Sequence, residues 1–562
     1  MQRRWILPFP ADPLKAGRLL RELNVPFFLA SLLVRRGFGE VAAAGEYLNP
    51  KMRSLAAPEL LPEMSRAAER VLDAVKNRER IVLYGDYDVD GITSLTILAR
   101  VLKAFGAQAE CFLPLRVEEG YGLSAAGVER CCEMHRPQLL LAVDCGTTSV
   151  KEIAELRARG VDVVVLDHHE PGPERPDCIA LVNPKCGPDF HSLCSAGIAF
   201  KLAHAMVKQS PVAGLDLREY FDLVALATVA DIVPLTGENR IFVRHGLRQM
   251  ASTRWPGIAA LMEVSGVTPP VRGGDVGFRL GPRINAAGRL GPAQDALRLL
   301  LTDDRQEAGR LAAGLEAHNR ERQGVEHSVV REAEEWVEKH FDSARDTTIV
   351  AGQRGWHVGV LGIVASRVMR RHHRPTFIVG FDESGAGKGS GRSIEGLPLV
   401  DLLRQCSPHL EKFGGHDMAA GVSLQEGAFP AFREAFELAA RAMATEDLLT
   451  PRLHLDAEIE LHDLDFSLLE AQDLIEPFGA SNPQPLLYTR AVTPAGPPRT
   501  MKEKHLKFEF AIGRRRFPAV FFNACVGDLP RPPWDVAYTL DWNIWQGRTE
   551  AQMRIIGVRS AA

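Results

Sequence analysis

Short apolar runs separated by helical stretches dominate the first half of the chain. They include IVLY at 81–84, LLLAV at 139–143 and VVVL at 163–166, and each is rich in branched or leucine side chains. Continuous apolar runs of this length are typical of parallel strands that are buried on both faces. The pattern therefore predicts a doubly wound α/β domain.

Charge and composition change after this domain. The segment 303–340 is highly charged and has Leu311 and Leu315 at helical spacing, so we expect one long, partly exposed helix between two lobes. TTIVAG predicts a strand of a second, smaller α/β unit at about 346–445, followed by a helix over 360–370. The glycine-rich stretches GAGKGSGRS and KFGGHDMAAG are expected to be turns that let the backbone approach phosphate.

Short alternating segments such as LHLDAEIEL and KFEFAI follow residue 448 and predict a small antiparallel β domain. Residues 494–562 contain 11 lysines and arginines against 6 acidic residues, a net charge of +5. Interleaved aromatic residues favour a five-stranded OB-type barrel that stacks bases, although a basic β domain with an aromatic core has the same composition. These aromatic residues are Phe508, Phe510, Phe517, Phe521, Phe522, Trp542 and Trp545.

Composition narrows the class of protein. The 562 residues are 46% hydrophobic and 25% charged, which predicts roughly three or four globular domains and excludes a disordered or fibrous chain. We expect a cytoplasmic protein with no membrane association, because no apolar run approaches a bilayer span and the N-terminus has no signal-peptide pattern. The nine cysteines form no CxxC motif, so we expect reduced thiols and no structural zinc site.

Acidic residues follow each of the three predicted strands, in GDYDVDG (85–91), DCG (144–146) and DHHE (167–170). The carboxyl ends of parallel strands meet at one edge of a sheet, where ligands bind. Clustered carboxylates need a cation, and mostly oxygen ligands with one or two imidazoles favour two manganese or magnesium ions. An apolar run that ends at Asp231 adds a fourth contribution. The candidates are Asp86, Asp88, Asp90, Asp144, Asp167, His168, His169 and Asp231.

Simpler interpretations of these residues are weaker. GDYDVDG opens like an EF-hand calcium loop, but its twelfth position is Ile97 and a strand precedes it. Any single acidic turn could cap the following helix, and a histidine pair could be a turn satisfied by the backbone. Three acidic turns at three strand ends favour the metal site.

The motifs GDYDVDG, VDCG, VLDHHEP and ATVADIVPL resemble the four motifs of the DHH phosphoesterase superfamily. EGYGLS, GPRINAAGRLG, WHVGVLGIVASR, GSGRS, FGGHDMAAG and EPFGASNPQP are similar to its bacterial single-strand-specific 5′→3′ exonucleases, from about residue 40 to the end. The resemblance implies an N-terminal arm (1–40), a DHH domain (41–302), a connecting helix (303–345), a DHH-associated domain (346–447) and an OB-fold β-barrel (453–562).

The resemblance also implies roles for the acidic cluster. Asp88, Asp144 and Asp231 are the candidates to serve or bridge two divalent ions, Asp167 would orient the site, and His169 would contact the scissile phosphate or protonate the leaving group. Many superfamily members have a histidine at the position of Tyr84, and here Asp86 is the candidate to compensate. The implied metal-site residues are Asp86, Asp88, Asp90, Asp144, His168 and Asp231.

The implied substrate site lies elsewhere in the sequence. Arg116, Ser390 and Arg392 resemble a pocket for the 5′-terminal phosphate, for which the planar guanidinium is well suited. A helix cap and a surface ion pair are the alternative for Asn285 and Arg289, and packing is the alternative for His357. The residues implied to hold the strand are Arg283, Asn285, Arg289, Gly414, Gly415 and His416.

By this resemblance the chain is a monomeric exonuclease of DNA recombination and repair. Water activated by two cations would attack the phosphorus between the first two nucleotides of single-stranded DNA, releasing 5′-mononucleotides. Implied partners are single-strand-binding protein and a RecQ-type helicase. Two rivals stay open: a DHH enzyme acting on dinucleotides, nucleotides or pyrophosphate, and a non-catalytic DNA-binding scaffold.

Overall fold

The computed structural model describes residues 3–115, 119–120, 122–188, 192–290, 293–502, 504–545 and 548–561. The chain forms two compact units, one of Met1–Ile6 with His318–His454 and the other of Leu7–Ala317 with Leu455–Ala562. No helix in the described ranges is long and apolar enough to cross a lipid bilayer.

The N-terminal segment is mostly helical. Leu19 and Leu29 are buried in one apolar cluster with Ala471 and Ile475, so these helices pack against the C-terminal part of the same unit. The first strand belongs to the unit that contains His318–His454, and it pairs in parallel with Arg452–His454 of that unit. The elements are β1 (Arg4–Ile6), α1 (Pro13–Leu23), α2 (Phe27–Arg35) and α3 (Val41–Leu48).

A five-stranded, wholly parallel sheet follows, in the order β3-β2-β4-β5-β6. Its central strands are buried on both faces, as continuous apolar runs require, so the predicted strands and the doubly wound domain are confirmed. The elements are α4 (Met64–Asn77), β2 (Ile81–Gly85), α5 (Val89–Ala104), β3 (Ala109–Phe112), α6 (Ala125–His135), β4 (Leu139–Val143), α7 (Val150–Ala158), β5 (Asp162–Leu166) and β6 (Ala180–Val182).

A helical layer covers one face of this sheet. Four of its helices pack directly on α5, and a π-helical turn over Val276–Leu280 joins the helices Gly273–Asp275 and Gly281–Leu290. The elements are α8 (Ser195–Gln209), α9 (Phe221–Ala230), α10 (Gly237–Met250), α11 (Pro256–Ser265), α12 (Gly273–Asp275), α13 (Gly281–Leu290) and α14 (Gln294–Leu301).

The predicted long helix is present as α15 (Arg305–His340), with 36 residues. Leu311 and Leu315 are buried in the core of the parallel-sheet domain. Val329 and Val337, further along the helix, are buried in the core of the second α/β domain. The helix is therefore amphipathic in two successive stretches, each serving a different core.

The second α/β domain has a five-stranded sheet in the order β10-β11-β9-β8-β7, in which only β7 and β8 are parallel. Its strands and helices alternate through most of the sequence. They are β7 (Ile349–Arg354), α16 (Leu361–His372), β8 (Thr376–Phe381), β9 (Ala386–Arg392), α17 (Leu399–Gln405), β10 (Lys412–Gly415), β11 (Ala419–Gln425), α18 (Phe429–Met443) and α19 (Glu446–Leu449).

The prediction of a glycine-rich turn is wrong for GAGKGSGRS, which forms β9, whereas KFGGHDMAAG forms β10, a turn and the start of β11. Aromatic rings on the neighbouring strand occupy the space above these glycines. A Cβ atom at Gly391 would lie 2.3 Å from the ring of Phe377, and one at Gly387 would lie 2.6 Å from Phe381. Glycine is needed here for close packing.

The C-terminal domain is built on a seven-stranded sheet in the order β13-β14-β18-β19-β17-β16-β15. The predicted five-stranded antiparallel arrangement is corrected in two respects, since there are seven strands and the β13–β14 and β17–β19 pairs are parallel. The elements from residue 452 are β12 (Arg452–His454), β13 (Ala457–Glu458), α20 (Phe466–Asp473), β14 (Leu487–Val492), β15 (Arg499–Met501), β16 (His505–Ile512), β17 (Arg515–Phe522), β18 (Trp534–Trp545) and β19 (Arg548–Ser560).

Three of the aromatic residues proposed to stack bases form the core of this domain instead. Phe508, Phe510 and Phe517 are buried, and the first two meet Trp534 edge to face. The expectation of base stacking is therefore wrong for these three, and the aromatic-core alternative holds. Alternation along β16 places the rings of Phe508 and Phe510 on the buried face.

The other aromatic residues of the segment 494–562 are more accessible to solvent. Phe521 is partly buried against the same core, whereas Phe522 is 43% exposed. Trp542 stacks on Phe466 at 5.6 Å between ring centroids, which leaves one face of the indole covered. The side chain of Trp545 lies outside the described part of the chain.

Candidate metal centre and substrate-binding residues

Three neighbouring strands of the parallel sheet deliver acidic side chains to one edge. Asp86 follows β2, Asp144 follows β4 and Asp167 follows β5, in the order in which these strands lie side by side. Ligand atoms of Asp86, Asp88 and Asp144 all lie within 4.8 Å of one another. The predicted convergence of the strand ends is therefore present, at the position where doubly wound sheets bind ligands.

His168 joins this cluster to Asp231. Its Nε2 atom is 3.3 Å from Oδ1 of Asp144, 3.6 Å from Oδ2 of Asp231 and 3.7 Å from Oδ2 of Asp90. Asp231 comes directly after α9, where the predicted apolar helix ends. Two more groups with metal-binding spacing result, one of Asp144, His168 and His169 and one of Asp90, His168 and Asp231.

The first acidic loop is shaped by the start of α5. Asp88 caps this helix, since its Oδ1 accepts hydrogen bonds from the N–H groups of Asp90 at 2.9 Å and Gly91 at 3.1 Å. A Cβ atom at Gly91 would lie 2.3 Å from the carbonyl oxygen of Asp86, so only glycine fits in this turn. The GDYDVDG loop thus brings the carboxylates of Asp86 and Asp88 close together.

Asp90 has a different environment from its neighbours. Its two carboxylate oxygens accept hydrogen bonds from the N–H groups of Ser195 at 2.7 Å and Ala196 at 2.8 Å, at the N-terminus of α8. The positive end of a helix stabilises a buried carboxylate. Asp90 therefore ties α5 to α8, and its predicted place at the metal site stays a prediction.

Asp167 orients the histidine pair. Its Oδ1 accepts hydrogen bonds from the N–H of His168 at 2.8 Å and faces Nδ1 of His169 at 2.7 Å, while Oδ2 accepts from the N–H of Thr147 at 2.9 Å. Burial acts to raise the pKa of Asp167, but the hydrogen bonds from His169 and Thr147 outweigh it and hold the pKa below its usual value. Asn183 supports the arrangement by donating to the carbonyl of His169.

The electrostatics of the cluster fit a divalent cation. Burial raises the pKa of Asp231 to about 9, and the carboxylates of Asp90 and Asp88 add to the rise. Burial and the same neighbours raise the pKa of Asp144 well above its usual value. A divalent metal ion would offset the cost of ionising these clustered carboxyl groups. Oxygen donors with an imidazole suit Mn²⁺ or Mg²⁺.

Ser195 is a residue of this site that the sequence analysis missed. Its fully buried hydroxyl donates a hydrogen bond of 2.9 Å to Oδ1 of Asp144, while its N–H binds Asp90. The serine lies in the apolar run LCSAGIAF, and a small polar residue at the start of such a helix was the available signal.

Tyr84 does not reach the metal centre. Its ring is buried on the opposite face of the sheet, next to Phe112, and its hydroxyl donates to the carbonyl of Gly122 at 3.1 Å. Burial raises the pKa of this phenol far above its usual value. Tyr84 is therefore a core residue, whereas Asp86 lies in the acidic cluster.

Helix α13, from GPRINAAGRLG, packs on the first acidic loop. Oδ1 of Asn285 accepts a hydrogen bond of 3.1 Å from the N–H of Val89, so Asn285 caps α5 as the alternative interpretation proposed. Arg283 pairs with Glu316, with 2.6 Å between Nε and Oε2. Arg289 lies on the same helix, and substrate contacts of all three residues stay predictions.

Ser390 and Arg392 lie on one face of β9 in the second domain. Nη1 of Arg392 is 3.2 Å from Oγ of Ser390, and Nη2 would be 3.0 Å from a Cβ atom at Gly362, the second residue of α16. No carboxylate of the described ranges pairs with this guanidinium. Burial lowers the pKa of Arg392, with Arg370 adding to the effect. An unpaired cation beside a helix N-terminus suits a phosphate.

The other predicted substrate residues are scattered. Gly414 and Gly415 end β10, and the exposed His416 donates its N–H to the carbonyl of Ala419 in the following turn. Nδ1 of His357 accepts a hydrogen bond from the N–H of Gly359, which is a turn contact. Arg116 lies outside the described residues.

Three protein-family models match parts of the chain. They are "DHH family, N-terminal domain" at residues 80–228, "DHHA1 domain" at 346–442 and "RecJ OB domain" at 455–557. The single-stranded-DNA-specific exonuclease RecJ of Bacillus subtilis is 35% identical, over 98% of this chain and 70% of the relative.

Two crystal structures are similar over the whole of this chain. RecJ from Thermus thermophilus in complex with Mn²⁺ has a TM-score of 0.86 and 33% identity, with 80% of that chain covered. The complex of RecJ from the same organism with Mg²⁺ has a TM-score of 0.81 and 31% identity, with 79% covered. The chain therefore belongs to the RecJ family.

Proposed function

We propose that this protein is a single-stranded-DNA-specific 5′→3′ exonuclease of DNA recombination and repair, which uses two Mn²⁺ or Mg²⁺ ions. The observation that carries the proposal is the cluster of Asp86, Asp88, Asp144, Asp231 and His168, all buried or half-buried, in a member of the RecJ family. These carboxylates raise one another's pKa, and a bound divalent cation would offset the repulsion between them.

These five side chains would hold the two ions. When bound, the ions neutralise phosphate charge and make water a stronger nucleophile. Burial lowers the pKa of His168, which keeps its imidazole neutral and able to act as a ligand near neutral pH. Ser195 and Asp90 hold Asp144 and the start of α5 in place.

His169 would act at the leaving group. Burial alone would lower its pKa, but the hydrogen bond between Nδ1 and Asp167 raises the pKa above its usual value. An imidazolium oriented in this way can give a proton to the 3′-oxygen as its bond to phosphorus breaks and water adds to phosphorus. The product is a 5′-mononucleotide, and the shortened strand carries a new 5′-phosphate.

Arg392 and Ser390 would bind the 5′-terminal phosphate, together with Arg116. A phosphate pocket at a constant distance from the reacting bond would set the register at one nucleotide for each turnover. Arg283, Asn285, Arg289, Gly414, Gly415 and His416 would hold the next nucleotides. The proposed domains are an N-terminal arm (1–40), a DHH domain (41–302), a connecting helix (303–345), a DHH-associated domain (346–447) and an OB-fold domain (453–562).

The cellular setting is proposed on the family resemblance. The chain would act as a monomer in the cytoplasm, on strands exposed by a RecQ-type helicase and covered by single-strand-binding protein. The basic C-terminal segment, with its net charge of +5 over 494–562, would contribute sequence-independent contacts to the DNA backbone.

The test is digestion of single-stranded DNA that carries a 5′-phosphate and a 3′-label, in Mn²⁺ or Mg²⁺. We expect stepwise shortening from the 5′ end by the wild type, no shortening by Asp144→Ala, and normal shortening by Asp73→Ala, a control at an exposed aspartate of α4. A folded, metal-loaded wild type that leaves long strands intact would refute the exonuclease. Cleavage of dinucleotides alone would favour the small-substrate enzymes of the superfamily.

A further inference from the structure

Phe278 is an aromatic side chain that the fold leaves open to solvent. It is 82% exposed, and within the π-helical turn Val276–Leu280 it is the only exposed residue. None of the described aromatic rings packs against it. A side chain exposed to this extent buries little surface in the core.

The turn that carries Phe278, together with the next residue Gly281, packs against two segments that supply residues of the metal centre. A Cβ atom at Gly281 would be 3.4 Å from Cβ of Ala230 and 3.8 Å from Cγ2 of Val89. Ala230 precedes Asp231, and Val89 lies between Asp88 and Asp90. Gly277, on the other side of Phe278, similarly approaches Val229. Single π-helical turns of this kind are frequent at functional sites.

The arginines near Phe278 form contacts within the protein. Arg279 pairs with Asp275 and donates to the carbonyl of Ser265, and Arg283 pairs with Glu316. The aromatic ring, rather than a cation, is therefore what this turn presents outward.

Ile232 is a second exposed apolar residue at the same end of α9. It follows Asp231 directly, is 72% exposed, and has a φ angle of +60°. A β-branched residue in the left-handed region is strained, and such strain is found mostly at functional sites. Ile232 follows the end of α9, and the turn that carries Phe278 packs against the same helix.

We propose that Phe278 stacks on an unpaired base of the DNA strand held at the metal centre, with Ile232 as an apolar neighbour. The inference rests on the proposed function and adds a residue that selects single strands. An unpaired base has a free π face, whereas the bases of a duplex are already stacked on each other. Stacking is independent of base identity, so the contact is compatible with digestion of any sequence.

Two measurements on the full-length protein test this contact. The first follows the fluorescence of 2-aminopurine, placed singly at each of the first six positions of a 5′-phosphorylated strand, on binding without divalent metal. We expect quenching at one position by the wild type, loss of that quenching in Phe278→Ala and Phe278→Leu, and its retention in Phe278→Tyr. Phe9→Ala is the matched control, since Phe9 is 84% exposed and lies in the N-terminal segment.

The second measurement replaces the same position with an abasic site and follows digestion in Mn²⁺. We expect the abasic site to lower kcat/KM of the wild type by about tenfold, and to have no further effect on Phe278→Ala. Quenching that is equal in the wild type and both non-aromatic variants would overturn the proposal. Because quenching needs no hydrolysis, a failure of digestion would sink the proposed exonuclease without deciding this contact.

Discussion

Ser195→Ala is the substitution that tests most sharply how the metal centre is held. The serine hydroxyl donates to Oδ1 of Asp144 at 2.9 Å in a fully buried position, whereas its backbone N–H, which serves Asp90, is unaffected by the change. The substitution therefore removes one hydrogen bond to one proposed ligand and leaves the connection between α5 and α8 in place.

The expected magnitude follows from the charge of the acceptor. A hydrogen bond to an ionised group contributes about 1.5–3 kcal/mol, and its loss leaves Asp144 more weakly oriented and harder to ionise. At about 1.4 kcal/mol for each factor of ten, Mn²⁺ affinity should fall about 10- to 100-fold. Excess Mn²⁺ should restore most of the exonuclease rate, because the ligand itself is still present.

Calorimetric titration with Mn²⁺ measures the affinity, and the rate on single-stranded DNA is followed over the same metal concentrations. Ser328→Ala is the matched control, because its hydroxyl donates to Glu332 at 3.0 Å on the exposed surface of α15. Equal Mn²⁺ affinities for the wild type, Ser195→Ala and Ser328→Ala would refute the assigned role of Ser195.

Three further predictions follow from the same structure. Folding raises the pKa of Asp231 from 3.8 to about 9, so the free energy of unfolding of the metal-free protein should fall as the pH rises from about 4 to 9. Urea unfolding should show a smaller fall with Mn²⁺ present or in Asp231→Asn. Arg392→Ala should abolish the preference for a 5′-phosphate over a 5′-hydroxyl, about 10- to 100-fold in kcat/KM, whereas Arg354→Ala, at an exposed ion pair, should not. Tyr84→Phe should cost about 1 kcal/mol in thermal unfolding, through the bond to Gly122, with unchanged Mn²⁺ affinity; weaker binding would contradict the assignment of Tyr84 to the core.

The convergence of Asp86, Asp144 and Asp167 could be predicted because it depends on strand order and direction alone. Parallel strands that are adjacent in the sheet must end at the same edge, whatever the helices do. The side of the sheet occupied by Tyr84 was also open to prediction. Alternation along β2 puts Leu83 in one core and Tyr84 in the other, since successive strand residues face opposite sides.

The glycine-rich strands could not be predicted from local pattern. Glycine usually indicates a turn, and only the tertiary contact between Gly391 and the ring of Phe377 explains why it lies in β9. The same limit applied to Phe508 and Phe510, whose burial depends on which face of β16 meets the core.

Hydrogen-bond partners far apart in sequence were equally inaccessible. Asp88 and Asp90 are equivalent in the motif D-x-D, yet Asp88 caps its own helix while Asp90 is bound by Ser195 and Ala196, more than a hundred residues away. Only the packing of α5 against α8 distinguishes the two carboxylates.

The central claim is that the clustered carboxylates at the strand ends form a two-ion centre that hydrolyses DNA. The most direct measurement is the number of Mn²⁺ ions bound per chain at equilibrium, determined on the same preparation whose exonuclease rate is measured. We expect two ions and metal-dependent digestion for the wild type, and fewer ions with no digestion for Asp144→Ala. Digestion by a wild type that binds no Mn²⁺ or Mg²⁺ at this cluster, or by an Asp144→Ala variant at the normal rate, would contradict the account.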